Sequence, residues 1–192
     1  MKKTLLAYVS AAALALTTLG ATAQMSGQPG DMKDPTVGGA AMYPSRTIVE
    51  NAVNSPIHTT LVAAVKAAGL VDTLNSPGPF TVFAPTNDAF AKLPAGTVDT
   101  LVKPENKATL TRILTYHVVA GRLSAKDIAA GIKAGRGKYE MTTVEGGKLT
   151  ATMSGRKIML TDEKGDMATI TTSNVFQSNG VIDVIDTVLM PS

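Results

Sequence analysis

There is no cysteine among the 192 residues and no tryptophan, aromatic residues make up 4%, and histidine occurs twice. Without cysteine there can be no disulfide, no thiolate nucleophile, and no zinc or iron–sulfur centre built on sulfur. Two histidines, His58 and His117, are too few for most histidine-based metal sites. Scarce aromatics and a formal charge of only +3 withhold the basic stripe and stacking platforms that a nucleic-acid partner uses. What is present is a 44% apolar, 17% charged composition, the balance of a chain that folds around a core. At this length one domain is expected.

Met1-Lys2-Lys3 leads into an apolar run, Leu5 to Leu16, which closes on Ala21-Thr22-Ala23. Positive start, apolar run and small-x-small close form the pattern of a secretory signal peptide, so residues 1–23 are expected to be removed. The run is too short, and too rich in alanine and threonine, for a membrane span of ~20 residues. Loss of Lys2 and Lys3 brings the rest of the chain close to neutrality. No cysteine follows the run to carry a lipid, and Leu189-Met190-Pro191-Ser192 is not a hydrophobic tail. The expectation is an exported protein, periplasmic or secreted, without a transmembrane anchor. Residues 24–45 hold Gly27, Gly30, Gly38, Gly39, Pro29, Pro35 and Pro44 without apolar periodicity and read as a flexible leader.

From Arg46 the pattern changes, and residues 46–192 read as the folded domain. Thr47 to Val53 suits a short amphipathic helix that Pro56 cannot continue. Ile57, Leu61, Val62, Val65 and Ala68 recur at helical spacing, and Gly69 is the stop. Phe80 to Ala84 reads as a strand between Pro79 and Pro85, followed by a helix start at Thr86-Asn87-Asp88 that Pro94 ends. Pro104 opens a helix whose inward stripe is Leu110, Ile113, Leu114 and His117. A last short helix begins at Ser124 and is expected to end near Gly131. Beyond it, Tyr139–Val144, Lys148–Met153, Lys157–Thr161, Thr169–Ser173 and Val181–Val188 are strand-like. Gly146-Gly147, Ser154-Gly155 and Lys164-Gly165 fall between successive pairs, as in antiparallel hairpins. Helices first and a meander of strands second predict an α+β fold.

Three segments resemble the fasciclin domain family. Gly78-Pro79-Phe80-Thr81-Val82-Phe83-Ala84-Pro85-Thr86-Asn87-Asp88-Ala89-Phe90 is similar to its first signature and Leu114-Thr115-Tyr116-His117-Val118-Val119 to its Tyr-His segment. Asn179-Gly180-Val181-Ile182-Asp183-Val184-Ile185-Asp186-Thr187-Val188-Leu189-Met190-Pro191 is similar to its C-terminal signature. The order and spacing fit one domain from Arg46 to Pro191. The resemblance implies a wedge or sandwich of strands covered by several short helices, in a secreted or surface protein that mediates adhesion or protein–protein contact in the extracellular matrix or envelope. It implies no enzyme activity, no catalytic residue, no cofactor and no metal. The partner would be an extracellular or envelope protein or polysaccharide, and the protein itself could act as a monomer. Animal relatives contact integrins through the segments matching Asn87-Asp88 and Tyr116-His117, so Asn87, Asp88 and Tyr116 are carried over as a candidate contact surface. It also implies a hydrogen bond from His117 to the Thr86-Asn87-Asp88 turn, tying two signatures together.

The residues themselves favour the same roles. A lone imidazole on an apolar helical face needs partners for both nitrogens, which suits a structural His117. No Gly-x-Ser-x-Gly elbow marks a hydrolase nucleophile. Asp183 and Asp186, three apart in an alternating strand, point to opposite faces and do not form a carboxylate pair. Asp162, Glu163 and Asp166 around Lys164-Gly165 lack the twelve-residue calcium-loop pattern and suit a solvated turn. Lys164-Gly165-Asp166 is also similar to a short integrin-binding tripeptide, a match too small to separate from an ordinary glycine turn. Nine methionines are scattered without a Met-x-Met cluster, so core filling explains them better than copper. Two alternatives to an adhesion module stay open: a periplasmic carrier of a small apolar ligand, and a secreted hydrolase.

Overall fold

A computed structural model describes residues 34–192, so the expected signal peptide and the first part of the leader lie outside the described residues. A hairpin of β1 (Thr36–Val37) and β2 (Ala40–Ala41) turns on Gly38-Gly39. Its Val37 and the following Met42 are buried in the main core. The stretch expected to be a flexible leader up to Ser45 is therefore folded from Thr36 onward. Two buried residues five apart among glycines and prolines carry no periodicity, which is why composition misreads them.

Local chemistry sets several helix ends. Thr47 caps α1 (Ile48–Ala52): its hydroxyl accepts from the Glu50 N–H at 3.3 Å while the Glu50 carboxylate accepts from the Thr47 N–H at 2.8 Å. Such a reciprocal cap is worth about 1 kcal/mol. α2 (Thr59–Ala68) stops at Gly69, whose φ of 72° is left-handed backbone. α3 (Val71–Asn75) follows, then β3 (Phe80–Pro85), and Thr86 caps α4 (Asn87–Ala91). α5 (Thr97–Leu101) and a 3-10 turn at Pro104–Asn106 lead into α6 (Lys107–Tyr116), which passes directly to β4 (Val118–Ala120). α7 (Ala125–Ala134) does not stop at Gly131 as expected. A Cβ there would lie 2.7 Å from the Tyr139 ring, so Gly131 marks a close helix–strand approach and not a helix end.

The remaining strands are β5 (Lys138–Thr142), β6 (Lys148–Ser154), β7 (Lys157–Thr161), β8 (Met167–Gln177) and β9 (Gly180–Ile185). β5 to β9 form the expected run of antiparallel hairpins. The sheet continues past β9: β3 pairs with it in parallel from Phe80↔Gly180 to Pro85↔Ile185, and β4 closes that side. The order is β4-β3-β9-β8-β7-β6-β5. A bridge at Val119↔Thr143 and a 2.7 Å bond from the Val144 N–H to the Val118 carbonyl join the two outer strands, curling the sheet almost into a barrel. Exposed pairing edges are thereby removed. The protein is α+β, and among the described residues no helix is long and apolar enough to cross a membrane.

The alternation of β3 divides the interior. Val82 and Ala84 face a cluster with Leu61, Val65, Phe90 and Leu114 beneath the helices, whereas Phe83 faces Tyr116, Ile128, Leu149 and Leu160 inside the curled sheet. β3 and β9 are covered on both sides, so they read as continuous apolar runs.

Candidate functional site

Thr86, Asn87 and Asp88 form the first turn of α4 and have three different jobs. Thr86 is the cap, its Oγ1 accepting from the Ala89 N–H at 3.2 Å. Asn87 reaches across to α2: its Oδ1 accepts from the Thr60 N–H at 3.1 Å and the Thr59 hydroxyl at 3.2 Å, and its Nδ2 donates to the Pro56 carbonyl at 3.1 Å. His58, which occupies the N-cap position of α2, makes no capping bond. Asn87 therefore caps α2 from another element. Asp88 is exposed, and its carboxylate makes no hydrogen bond or ion pair among the described residues. Of this turn, Asp88 is the member free to meet a partner.

Tyr116 is not a surface residue. It is 0% exposed, its hydroxyl donating to the Lys148 carbonyl at 2.6 Å and accepting from the Glu163 N–H at 3.2 Å. Burial pushes its pKa up to about 12. The carried-over contact surface is corrected here: Tyr116 sits at the last turn of α6, where the curled sheet folds over it, and it fills the core. Tyr116→Phe is expected to lower stability by about 1–2 kcal/mol, since a backbone carbonyl and an N–H, both partly buried, lose their shared partner. A urea midpoint unchanged from wild type would contradict this.

His117 is 2% exposed, and its ring does not touch the Thr86-Asn87-Asp88 turn by a hydrogen bond. Nδ1 lies 2.8 Å from the Ile113 carbonyl, and Nε2 accepts from the Leu189 N–H at 3.0 Å. Because Leu189 can only donate, Nδ1 carries the proton and donates to Ile113. The expected tie between signatures exists, but it joins the Tyr-His segment to the C-terminal one. The segment Thr187–Ser192 has no strand partner, so side chains serve its backbone: His117 takes the Leu189 N–H, and Asp162 takes the Met190 N–H at 2.9 Å. With both nitrogens engaged, the imidazole has no lone pair with which to activate a hydroxyl. Burial lowers its pKa to about 4, against the opposing pull of the Ile113 carbonyl and of Asp162.

The acidic turn is likewise occupied. Asp162 Oδ1 accepts from the Lys164 and Asp166 N–H groups at 3.0 and 2.8 Å, closing the β7–β8 hairpin. Glu163 accepts from the Lys148 N–H at 2.9 Å and the Ser192 hydroxyl at 2.7 Å. Two buried groups were not singled out as sites by the sequence pattern. His58, bonded to the Ser55 hydroxyl at 2.8 Å, has its pKa held below the ordinary value by burial, against a backbone contact at Ala84. Asp183 is 0% exposed in β9; its Oδ1 accepts from the Asn174 N–H at 2.9 Å and its Oδ2 has no partner. Its place in an apolar run was the available signal.

A fasciclin domain pattern matches residues 56–191. Protein sll1483 of Synechocystis sp. is 48% identical over 159 residues, which is 83% of this chain and 81% of that protein. Immunogenic protein MPT70 of Mycobacterium tuberculosis is 41% identical over 73% of this chain and 66% of its own length. Cell surface glycolipoprotein MPT83 of the same species is 39% identical over 81% of this chain and 64% of its own. Among solved structures, the FAS1 domain pair of the insect cell adhesion molecule Fasciclin I aligns with a TM-score of 0.68. At 19% identity, over 77% of this chain and 51% of that one, it is a likeness of fold. The matched span holds the curled sheet, the helices from α2 onward and all three signature segments, and the chain belongs to the fasciclin domain family.

Proposed function

We propose that the protein is an exported, non-enzymatic interaction module that holds a protein or polysaccharide of the cell envelope or extracellular space. The reading rests on one contrast within the site. His117, Tyr116 and Asn87 are consumed by internal hydrogen bonds, whereas Asp88, next to Asn87 in the first turn of α4, presents a carboxylate with no partner among the described residues. A rigidly mounted charge suits recognition, where a few anchors carry most of the affinity. The named surface location of MPT83 and the adhesion role of Fasciclin I point the same way, as does the signal-like pattern of residues 1–23.

Affinity capture from the envelope of the source organism, with the purified protein as bait, tests this. Asp88→Ala is expected to retain at least fivefold less partner while melting within ~1 °C of wild type, as surface changes usually do. Asn87→Ala is expected to behave differently, costing about 1–3 kcal/mol because it uncaps α2. Equal capture by wild type and Asp88→Ala would reject the surface. Ester or peptide hydrolysis by the purified protein, lost in His117→Ala, would reject the non-enzymatic reading.

A further inference from the structure

Residues 128–139 and 151–161 contain five basic side chains and no acidic one. The fold brings these two stretches to one end of the curled sheet. β5 begins there with Lys138, whose partner in register is Thr152, two residues before the end of β6. β6 turns into β7 through Gly155-Arg156, with Ser154 opposite Lys157. α7 ends there too: its Gly131 lies close against the Tyr139 ring, and Arg136 follows its last turn. Lys133, Arg136, Lys138, Arg156 and Lys157 are all exposed, as is Met153 on β6, the strand between β5 and β7. Among the described residues none of the five enters an ion pair, and Glu140, further along β5, is taken by Lys148. The whole chain carries only +3, so without these five it would be net acidic. The positive charge is concentrated, not spread.

Arg136 adds a second observation. The Gly137 N–H reaches the Ile132 carbonyl at 2.8 Å and the Arg136 N–H the Lys133 carbonyl at 3.3 Å, the paired bonds that close a helix around a left-handed residue. That residue is usually glycine, yet here it is Arg136, at φ 57°, with a glycine on either side. Its side chain makes no hydrogen bond among the described residues that would offset the strained backbone. The pull of the α7 C-terminus on cations accounts for Lys133, in its last turn, but not for Lys138, Arg156 and Lys157 beside it.

We propose that this basic tip docks the protein on the surface of an anionic phospholipid bilayer. Its composition selects a bilayer over an acidic polysaccharide. Met153, 42% exposed among the cations, can enter the headgroup layer while they meet phosphates. No exposed aromatic ring stands in these two stretches to stack on a sugar, since Tyr139 is packed against Gly131 of α7. Strand directions also separate the tip from Asp88. β3, which leads into α4, runs in the same sense as β7, and the tip lies where β7 begins. Docking by the tip therefore leaves Asp88 at the other end of the sheet.

Co-sedimentation of the purified protein with vesicles tests this. On vesicles of phosphatidylglycerol and phosphatidylcholine in equal parts, wild type is expected to bind at ~50 mM salt and at least tenfold less at ~500 mM. With phosphatidylcholine alone it is expected to stay in solution. The triple substitution Lys138→Gln, Arg156→Gln and Lys157→Gln is expected to weaken binding at least tenfold. Lys66→Gln, Lys103→Gln and Lys107→Gln together change the net charge equally, from exposed positions around α2 and the start of α6, and are expected to bind as wild type does. Arg136→Gly is expected to melt no lower than wild type, since glycine suits the left-handed position, yet to bind about fivefold more weakly. Because the chain has no tryptophan, Met153→Trp supplies a single reporter whose emission should move to the blue on the anionic vesicles alone. Asp88→Ala is expected to sediment as wild type does, which keeps this result separate from the capture experiment. Wild type that fails to bind, or binds both vesicles equally, would overturn the proposal, as would full affinity in the triple variant. Retention on alginate, an acidic polysaccharide, without sedimentation on vesicles would overturn it too.

Discussion

His117→Ala is expected to cost about 3 kcal/mol or more at neutral pH, lowering the melting temperature by on the order of 10 °C for a body of this size. Three losses combine. The Ile113 carbonyl at the end of α6 and the Leu189 N–H each lose their partner, and each buried orphan costs about 1–3 kcal/mol. Removal of the ring also enlarges the small apolar void that His117 lines together with Phe83 and Leu114. A catalytic histidine with no structural part would leave the fold intact on truncation, so a melting temperature within a degree of wild type would refute the structural role. The same residue sets a pH dependence. Its folded pKa, about 4, is below the ordinary 6.5 because burial disfavours the cation. The native state therefore binds fewer protons than the unfolded chain between those values. The stability that His117 contributes is complete above pH ~6.5 and is lost as pH falls towards 4. Protonation would also abolish the acceptor that holds the Leu189 N–H, so the C-terminal segment is the first part expected to loosen in acid. Hydrogen exchange at Leu189 measures that directly.

The parts of this design that were legible in the sequence are the local ones. Phe80 to Pro85 announces a strand because two prolines bound it and Thr86 starts a helix immediately afterwards. The β5–β9 hairpins show because glycine turns separate threonine-rich and β-branched runs. What was not legible is non-local. That β3 lies parallel to β9 depends on residues one hundred positions apart, and nothing in either strand announces the other's direction. Leu189 is the acceptor-seeking partner of His117 because the terminal segment runs outside the sheet, a fact of topology and not of pattern. Tyr116 was misplaced for a related reason: the resemblance carries over a segment and not the direction of a side chain, and here a backbone carbonyl of β6 and an N–H of the β7–β8 turn receive its hydroxyl inside the fold. α3, α5 and β4 are too short for periodicity to register.

Asp183→Asn is expected to stabilise the protein by about 1–2 kcal/mol at pH 7.5 and to leave it near wild type at pH 4. Burial in β9 raises the Asp183 pKa to about 6, against the opposing Asn174 N–H bond. Here the native state binds more protons than the unfolded chain, whose carboxylate titrates near 3.8. The stability that Asp183 contributes is therefore greatest below about pH 4 and falls as pH rises to 6, by on the order of 3 kcal/mol. Asparagine keeps an oxygen for the Asn174 N–H, which holds the left-handed Asn174 of β8 (φ 63°), whose own side chain in turn accepts from the Ala125 N–H at the start of α7. What it removes is the buried charge on Oδ2, which has no partner; the amide N–H put in its place is also unpaired, so the gain is smaller than the full pKa shift implies. A variant less stable than wild type at pH 7.5, or equally shifted at pH 4 and 7.5, would show that the charge is not the cause. The two buried groups also act against each other. Between about pH 4 and 6 His117 makes stability rise with pH while Asp183 makes it fall, so these two terms nearly cancel in wild type. Urea titrations across that window should show Asp183→Asn gaining stability as pH rises and His117→Ala losing it, each variant uncovering the slope that the other residue conceals.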